Sequence, residues 1–130
     1  DRIVDVFESD QQAQVRTQLS ATLQAIVSQT LIPTKDGAGR IAAHEVLVAT
    51  PSIRTLIRDG RTHQIPTDLQ MGQEFGMQTL DGTLLTLVKD GKIDFEHAYA
   101  KCSNATEFMR RAQAAGLGPT PQGGTPVAPR

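Results

Sequence analysis

The chain has 130 residues, 38% hydrophobic and 21% charged, enough for one globular domain with a single modest core. Thirteen Lys and Arg against fourteen Asp and Glu leave a formal charge of −1, which argues against a nucleic-acid binder, and the single cysteine, Cys102, excludes an internal disulfide and any cysteine-only zinc site. The apolar runs are too short for a membrane-spanning helix, no signal-peptide core opens the chain, and the composition is of a cytoplasmic type.

Asp1-Arg2-Ile3-Val4-Asp5-Val6-Phe7 opens the chain as a short apolar segment, β-rich or irregular. With no Met and no polar lead-in, it reads as a piece cut from a longer chain. A helix is predicted next, with Ser9 or Asp10 as N-cap and an apolar stripe of Val15, Leu19, Leu23, Ile26, Val27 and Leu31. Pro33 stops it, and the residues just before Pro33 are biased towards an extended conformation. Asp36-Gly37 and Gly39 mark a turn, and Ile41 to Ala49 reads as a strand, so a hairpin is expected, roughly 29–33 with 40–49. Thr50-Pro51 has the form of N-cap and N1 of a helix carrying Ile53, Leu56 and Ile57, closed by Gly60.

Thr67 to Gln70 has capping-box spacing after Pro66, and a helical pattern runs on through Phe75, Met77, Leu80, Leu84, Leu85 and Val88. Gly72, Gly76 and Gly82 are placed to break or bend it, and Gly91 to end it. Asp94 caps a further short helix, and Asn104 with Glu107 starts the last one, which Gly116 closes. Residues 116–130 hold four Gly and four Pro and are expected to form a flexible tail, leaving 1–115 as the folded part. The expected fold is α+β, predominantly helical with one β-hairpin.

Catalytic motifs are scarce. The only Gly-Lys pair, Gly91-Lys92, is followed by Ile93 where a phosphate-binding P-loop needs Ser or Thr. Gly37-Ala38-Gly39 reads as a turn. His44-Glu45 lacks the second His four residues on and lies on a predicted strand, so it is not a zincin motif. Cys102 stands in a polar stretch with no His adjacent in sequence and reads as an inert, half-buried thiol; His97 has no identifiable co-ligand. No catalytic, cofactor-binding or metal residue is assigned, and the chain alone is expected to be inactive.

One segment stands out. In Ser52 to Arg61, Ile53, Leu56 and Ile57 form one stripe, while Arg54, Arg58 and Arg61 fall at i, i+4 and i+7. Three aligned arginines can engage acidic side chains, a helix C-terminus or a phosphate, or can simply keep a face solvated.

Ser52-Ile53-Arg54-Thr55-Leu56-Ile57-Arg58-Asp59 resembles the Ala-Ile-Arg-Asn-Leu-Ile-Arg-Glu signature of the twitching-motility retraction ATPases, the PilT family of the type II/IV secretion ATPase superfamily. Residues 1–7, Gln18 to Leu23, Gln29 to Pro33, Gly39 to Val48, Thr62 to Pro66 and Gly76 to Leu80 resemble further family stretches in order, up to about residue 112. Departures are Ser52 for Ala, Thr55 for Asn, Asp59 for Glu, and Glu8-Ser9-Asp10 where the family often has prolines. Related extension and type II secretion ATPases usually carry a four-cysteine zinc module, which Cys102 alone cannot build.

The resemblance implies the C-terminal portion of a RecA-like P-loop ATPase domain, supplying core strands and subunit-interface helices. It implies a homo-hexamer that uses Mg-ATP to power pilus retraction, cytoplasmic and peripheral at the inner membrane beside the pilus assembly machinery. Walker A, Walker B, the Asp box and the His box would then lie upstream of Asp1, with no cofactor held by this segment. The alternative is a stand-alone helical binding or regulatory module that docks an acidic partner through Arg54, Arg58 and Arg61.

Overall fold

The computed structural model describes residues 2–119, so from residue 120 onwards the expected tail lies outside the described residues. In chain order the elements are α1 (Arg2–Asp5), α2 (Ser9–Thr22), β1 (Ala25–Pro33), β2 (Arg40–Val48), α3 (Pro51–Arg58), α4 (Ile65–Met71), α5 (Leu80–Lys89), α6 (Phe95–Lys101) and α7 (Ala105–Ala114). Short 3₁₀ turns at Thr62–Gln64 and Gln73–Phe75 flank α4. β1 and β2 pair as a two-stranded hairpin. Within the described residues the chain forms two compact units, 2–28 with 44–79 and 29–43 with 80–119.

The first unit is built on α3. Thr50 Oγ1 accepts from the Ile53 N–H at 3.3 Å, and Pro51 follows in the first turn, where its missing N–H has no helical partner to lose. Ile53 and Ile57 join Leu47, Leu69 and Met77 in a buried cluster, with Leu19, Leu23, Val48 and Ile65 packed against it. At the helix end, Gly60 takes φ +70° and Arg61 N–H donates to the Leu56 carbonyl at 2.8 Å, closing the helix as Gly60 was expected to. Gln78 forms an isolated bridge with Val46, donating and accepting through its backbone, and its side chain donates to the His44 carbonyl at 3.1 Å.

In the second unit, Ile32, Ala43, Leu84, Ile93, Ala98 and Phe108 form the buried cluster. Phe95 stacks on both Tyr99 and Phe108, with ring centroids 5.8 Å apart in each pair. The Asp81 carboxylate accepts from the N–H groups of Ser103 and Asn104 at 2.7 and 3.1 Å. Asn104 Oδ1 in turn caps α7 by accepting from Glu107 N–H at 3.1 Å. At the far end of α7 Gly116 has φ +70°, and Leu117 N–H donates to the Ala112 carbonyl at 2.8 Å.

Several expectations are corrected. Residues Arg2–Asp5 form a helical turn, not an extended segment, with Val4 3% exposed; so short an apolar run fits either period. The N-cap of α2 is Glu8, not Ser9 or Asp10. α2 stops at Thr22 instead of reaching Pro33, and Ala25–Pro33 is strand. The hairpin therefore pairs 25–33 with 40–48 and is longer than the expected 29–33. Ile26 and Val27 matched the helical spacing, but both are β-branched and fit a strand that β2 can pair. Thr67 lies inside α4, which starts at Ile65 because Pro66 belongs in a first turn. The long pattern of 67–88 is split: Gly76 takes φ +82°, Gln78 bridges to β2, and a new helix begins at Leu80, with Gly82 inside it.

Candidate functional site

The Ser52–Asp59 segment is a single helical element. α3 covers Pro51–Arg58 with Asp59 as its C-cap, and Ile53, Leu56 and Ile57 are all 5% exposed or less. The apolar stripe therefore faces the core of its unit, as the spacing predicted.

The three arginines do not make one stripe. Arg54 turns towards α2: its Nη1 donates to the Ser20 carbonyl at 2.6 Å. Arg58 stays outside, 55% exposed, with Nε donating to Asp59 Oδ1 at 3.3 Å. Arg61 lies past the turn at Gly60 and outside the helix, so the i+7 position on a continuous helix face is not realised. It nevertheless returns to the same carboxylate, Nη2 donating to Asp59 Oδ2 at 3.3 Å. Asp59 thus holds Arg58 and Arg61 together on the surface, and Arg54 belongs to a different task.

The remaining signature positions are local. Thr55 Oγ1 donates back to the Pro51 carbonyl at 3.0 Å. Ser52 Oγ donates to the Asp68 carboxylate, tying the start of α3 to α4. Nothing in the sequence pairs Ser20 with Arg54, 34 residues apart, because the acceptor is a backbone carbonyl.

Other candidates carry less chemistry. His44 is half-buried on β2 and Cys102 is half-buried at the end of α6. Cys102 Sγ donates to the Tyr99 carbonyl at 3.1 Å; burial, with the Asp81 carboxylate adding to it, pushes its thiol pKa up, away from the reactive thiolate. An open depression of about 520 Å³ is lined by Thr34, Lys35, Asp36, Ile41, Gly91 and Lys92. Beside it, Asp36 Oδ1 accepts from Thr34 Oγ1 at 2.6 Å and from Ala38 N–H at 2.9 Å. Those bonds hold the Asp36 carboxyl below the usual range.

The Gly91-Lys92 pair does not fit a phosphate-binding loop. Gly91 is the left-handed turn after α5 with φ +72°, its N–H is taken by the Val88 carbonyl and that of Lys92 by Leu87, and Ile93 is buried at 1% exposure. No free N–H cradle and no hydroxyl for a metal follow the Gly-Lys pair. No group of three or more His, Cys, Asp or Glu placed to hold a metal occurs among the described residues.

No family model matches the chain. It is 48% identical over 105 residues to a twitching motility protein of Neisseria gonorrhoeae, covering 81% of this chain and 28% of that protein. To the type IV pilus retraction ATPase PilT of Pseudomonas aeruginosa it is 47% identical over 108 residues, covering 83% and 31%. The chain thus spans less than a third of the length of these relatives. Among solved structures, the pilus retraction motor PilT with bound ADP superposes with a TM-score of 0.73 at 41% identity, over 84% of this chain and 30% of that one. The Legionella pneumophila ATPase DotB shares the fold at 19% identity, with a TM-score of 0.60 over 76% of this chain and 27% of that one. The α+β fold, mostly helical with one two-stranded hairpin, is consistent with the C-terminal portion of such an ATPase domain.

Proposed function

We propose, on the premise that this chain belongs to the PilT family of twitching-motility retraction ATPases, that it forms the C-terminal portion of a motor that retracts type IV pili. The observation that carries the reading is that sequence and fold each agree with a retraction motor over more than four fifths of this chain. In this reading the rest of the motor supplies the P-loop and the acidic and histidine boxes, and Mg-ATP hydrolysed there provides the work. Subunits assemble as a homo-hexamer on the cytoplasmic side of the inner membrane, against the pilus assembly machinery.

The role of this segment is mechanical. Its hairpin contributes strands to the ATPase domain, and α3 is the retraction signature helix, Ser52 to Asp59. Its support is the division of labour on that helix: Ile53, Leu56 and Ile57 anchor it, while Arg58, held with Arg61 by Asp59, remains outside for a neighbouring element. An anchored helix with an exposed guanidinium suits the passing on of a conformational change better than chemistry.

Deleting the gene that encodes this chain tests the reading. Cells should keep extended pili and lose retraction, observed as stationary fluorescent pili. Normal retraction in the deletion would refute it.

A further inference from the structure

The C-terminal end of α2 is an electrostatic problem that α3 solves. With the helix ending at Thr22 and Leu23 extended, Leu23 N–H closes on the Leu19 carbonyl, and the carbonyls after it have no intrahelical donor. The first of these is Ser20. Its residue is 6% exposed, so water has little access to it, and Ser20 Oγ is already committed as a donor to the Thr17 carbonyl at 2.7 Å. Arg54 reaches across and donates to the Ser20 carbonyl at 2.6 Å, placing a full positive charge at the negative end of a 14-residue helix.

The reverse contact also exists. Arg16, on α2, lies over the end of α3. A Cβ built on Gly60 would meet Arg16 Nε at 3.6 Å, Cδ at 3.7 Å and Cζ at 3.8 Å. The Arg16 side chain therefore lies beside Gly60, where Gly60 and Arg61 N–H groups close the last turn of α3 on Ile57 and Leu56. Each helix thus sends one arginine to the C-terminal end of the other, residue 54 meeting 20 and residue 60 meeting 16, as an antiparallel pair requires.

We propose that Arg54 and Arg16 form a reciprocal clasp that locks α2 and α3 into one moving piece, and that Arg54 is a positioning residue for the signature helix. Leu19, between Arg16 and Ser20 in the chain, and Leu23 beyond them pack against the cluster that holds Ile53 and Ile57. A displacement of α3 is then passed to the long helix without slippage, which apolar packing alone, being non-directional, does not enforce. This rests on α3 being the working helix of the proposed motor, but the clasp itself is testable without any motor activity.

Hydrogen–deuterium exchange on the whole chain reads it directly. Arg54→Ala should speed exchange about tenfold in the last turn of α2 and in α3 together, with peptides from α5 and α7 unchanged. Arg54→Lys, which keeps a cationic donor, should restore most of the protection, and Arg58→Ala should alter neither helix. Arg16→Gln should loosen the same two helices and no others. The clasp is overturned if Arg54→Ala leaves both helices at wild-type exchange or frees only one of them. Equal damage from Arg54→Lys and Arg54→Ala would overturn it as well, since bulk and not a donated hydrogen bond would then be at stake. Loss of retraction in the deletion strain with unchanged exchange in Arg54→Ala would overturn the clasp alone, and normal retraction in that strain with the exchange pattern above would overturn the motor assignment alone.

Discussion

Arg54 Nη1 lies 2.6 Å from the Ser20 carbonyl oxygen, so one of the two arginines of α3 is spent inside its own unit. Arg58, one turn later, pairs with Asp59 and is 55% exposed. Stability should follow this split. Arg54→Ala is expected to cost about 1.5–3 kcal/mol, the range for hydrogen bonds to charged groups, and Arg58→Ala at most about 1 kcal/mol. Leu56, 5% exposed, should cost roughly 2–5 kcal/mol when cut to Ala. Chemical denaturation of the three variants gives the order; Arg58→Ala matching Leu56→Ala would contradict it.

Gly72 is expected to resist any side chain. A Cβ there would sit 2.6 Å from Met77 Cε and 3.1 Å from the Asp68 carbonyl oxygen, and Met77 is 4% exposed. The methionine tip can move, but the backbone oxygen is part of α4. Gly72→Ala should therefore destabilise the chain by about 1–3 kcal/mol, the range for overpacked cores. Gly72→Ala should cost less in a Met77→Ala background than in the wild type, as a double-mutant cycle by denaturation would measure.

Signals that are local in the chain were legible. Thr50-Pro51 and Gly60 delimit α3 because capping and a left-handed turn need particular residues at particular places, and Asn104 with Glu107 marks α7 in the same way. The end of α2 was not legible: Ile26, Val27 and Leu31 continue the three- and four-residue spacing of Val15, Leu19 and Leu23, and periodicity does not report that a strand forty-odd residues into the chain will claim them. Arg61 stands at i+7 in the sequence, yet Gly60 turns the chain before it. The family was readable from the run of Ser52 to Asp59, whereas the use made of Arg54 was not, because its acceptor is a main-chain oxygen 34 positions away.

The hairpin turn should be acid-sensitive. The Thr34 hydroxyl, and after it the Ala38 N–H, favour the charged form of Asp36 and lower its folded pKa below its unfolded one. A depressed carboxylate stabilises the fold above the unfolded pKa, and that contribution fades as pH falls through the folded value. The stability gap between wild type and Asp36→Ala should thus be constant near neutrality and shrink in acid. Thermal melts of both proteins across that range check the sign; a gap that widens in acid would reverse it.

The chain alone should neither hydrolyse ATP nor bind it tightly, since Gly91-Lys92 is followed by buried Ile93 and its N–H groups are used within the turn. A coupled phosphate-release assay and nucleotide-binding calorimetry on the isolated chain test this. Turnover at the rate of a full-length family member would show a nucleotide site in these residues.

The most direct test of the account pairs two readings on the full-length motor carrying this segment: ATP hydrolysis by the purified protein and pilus retraction in cells, for Arg58→Ala against wild type, with melting temperature as the control. The mechanical role of α3 predicts near-normal hydrolysis and an unchanged melting temperature with retraction strongly reduced. Hydrolysis and retraction falling together would place Arg58 in the catalytic machinery, and normal retraction would leave α3 a solvated face; either result contradicts the account.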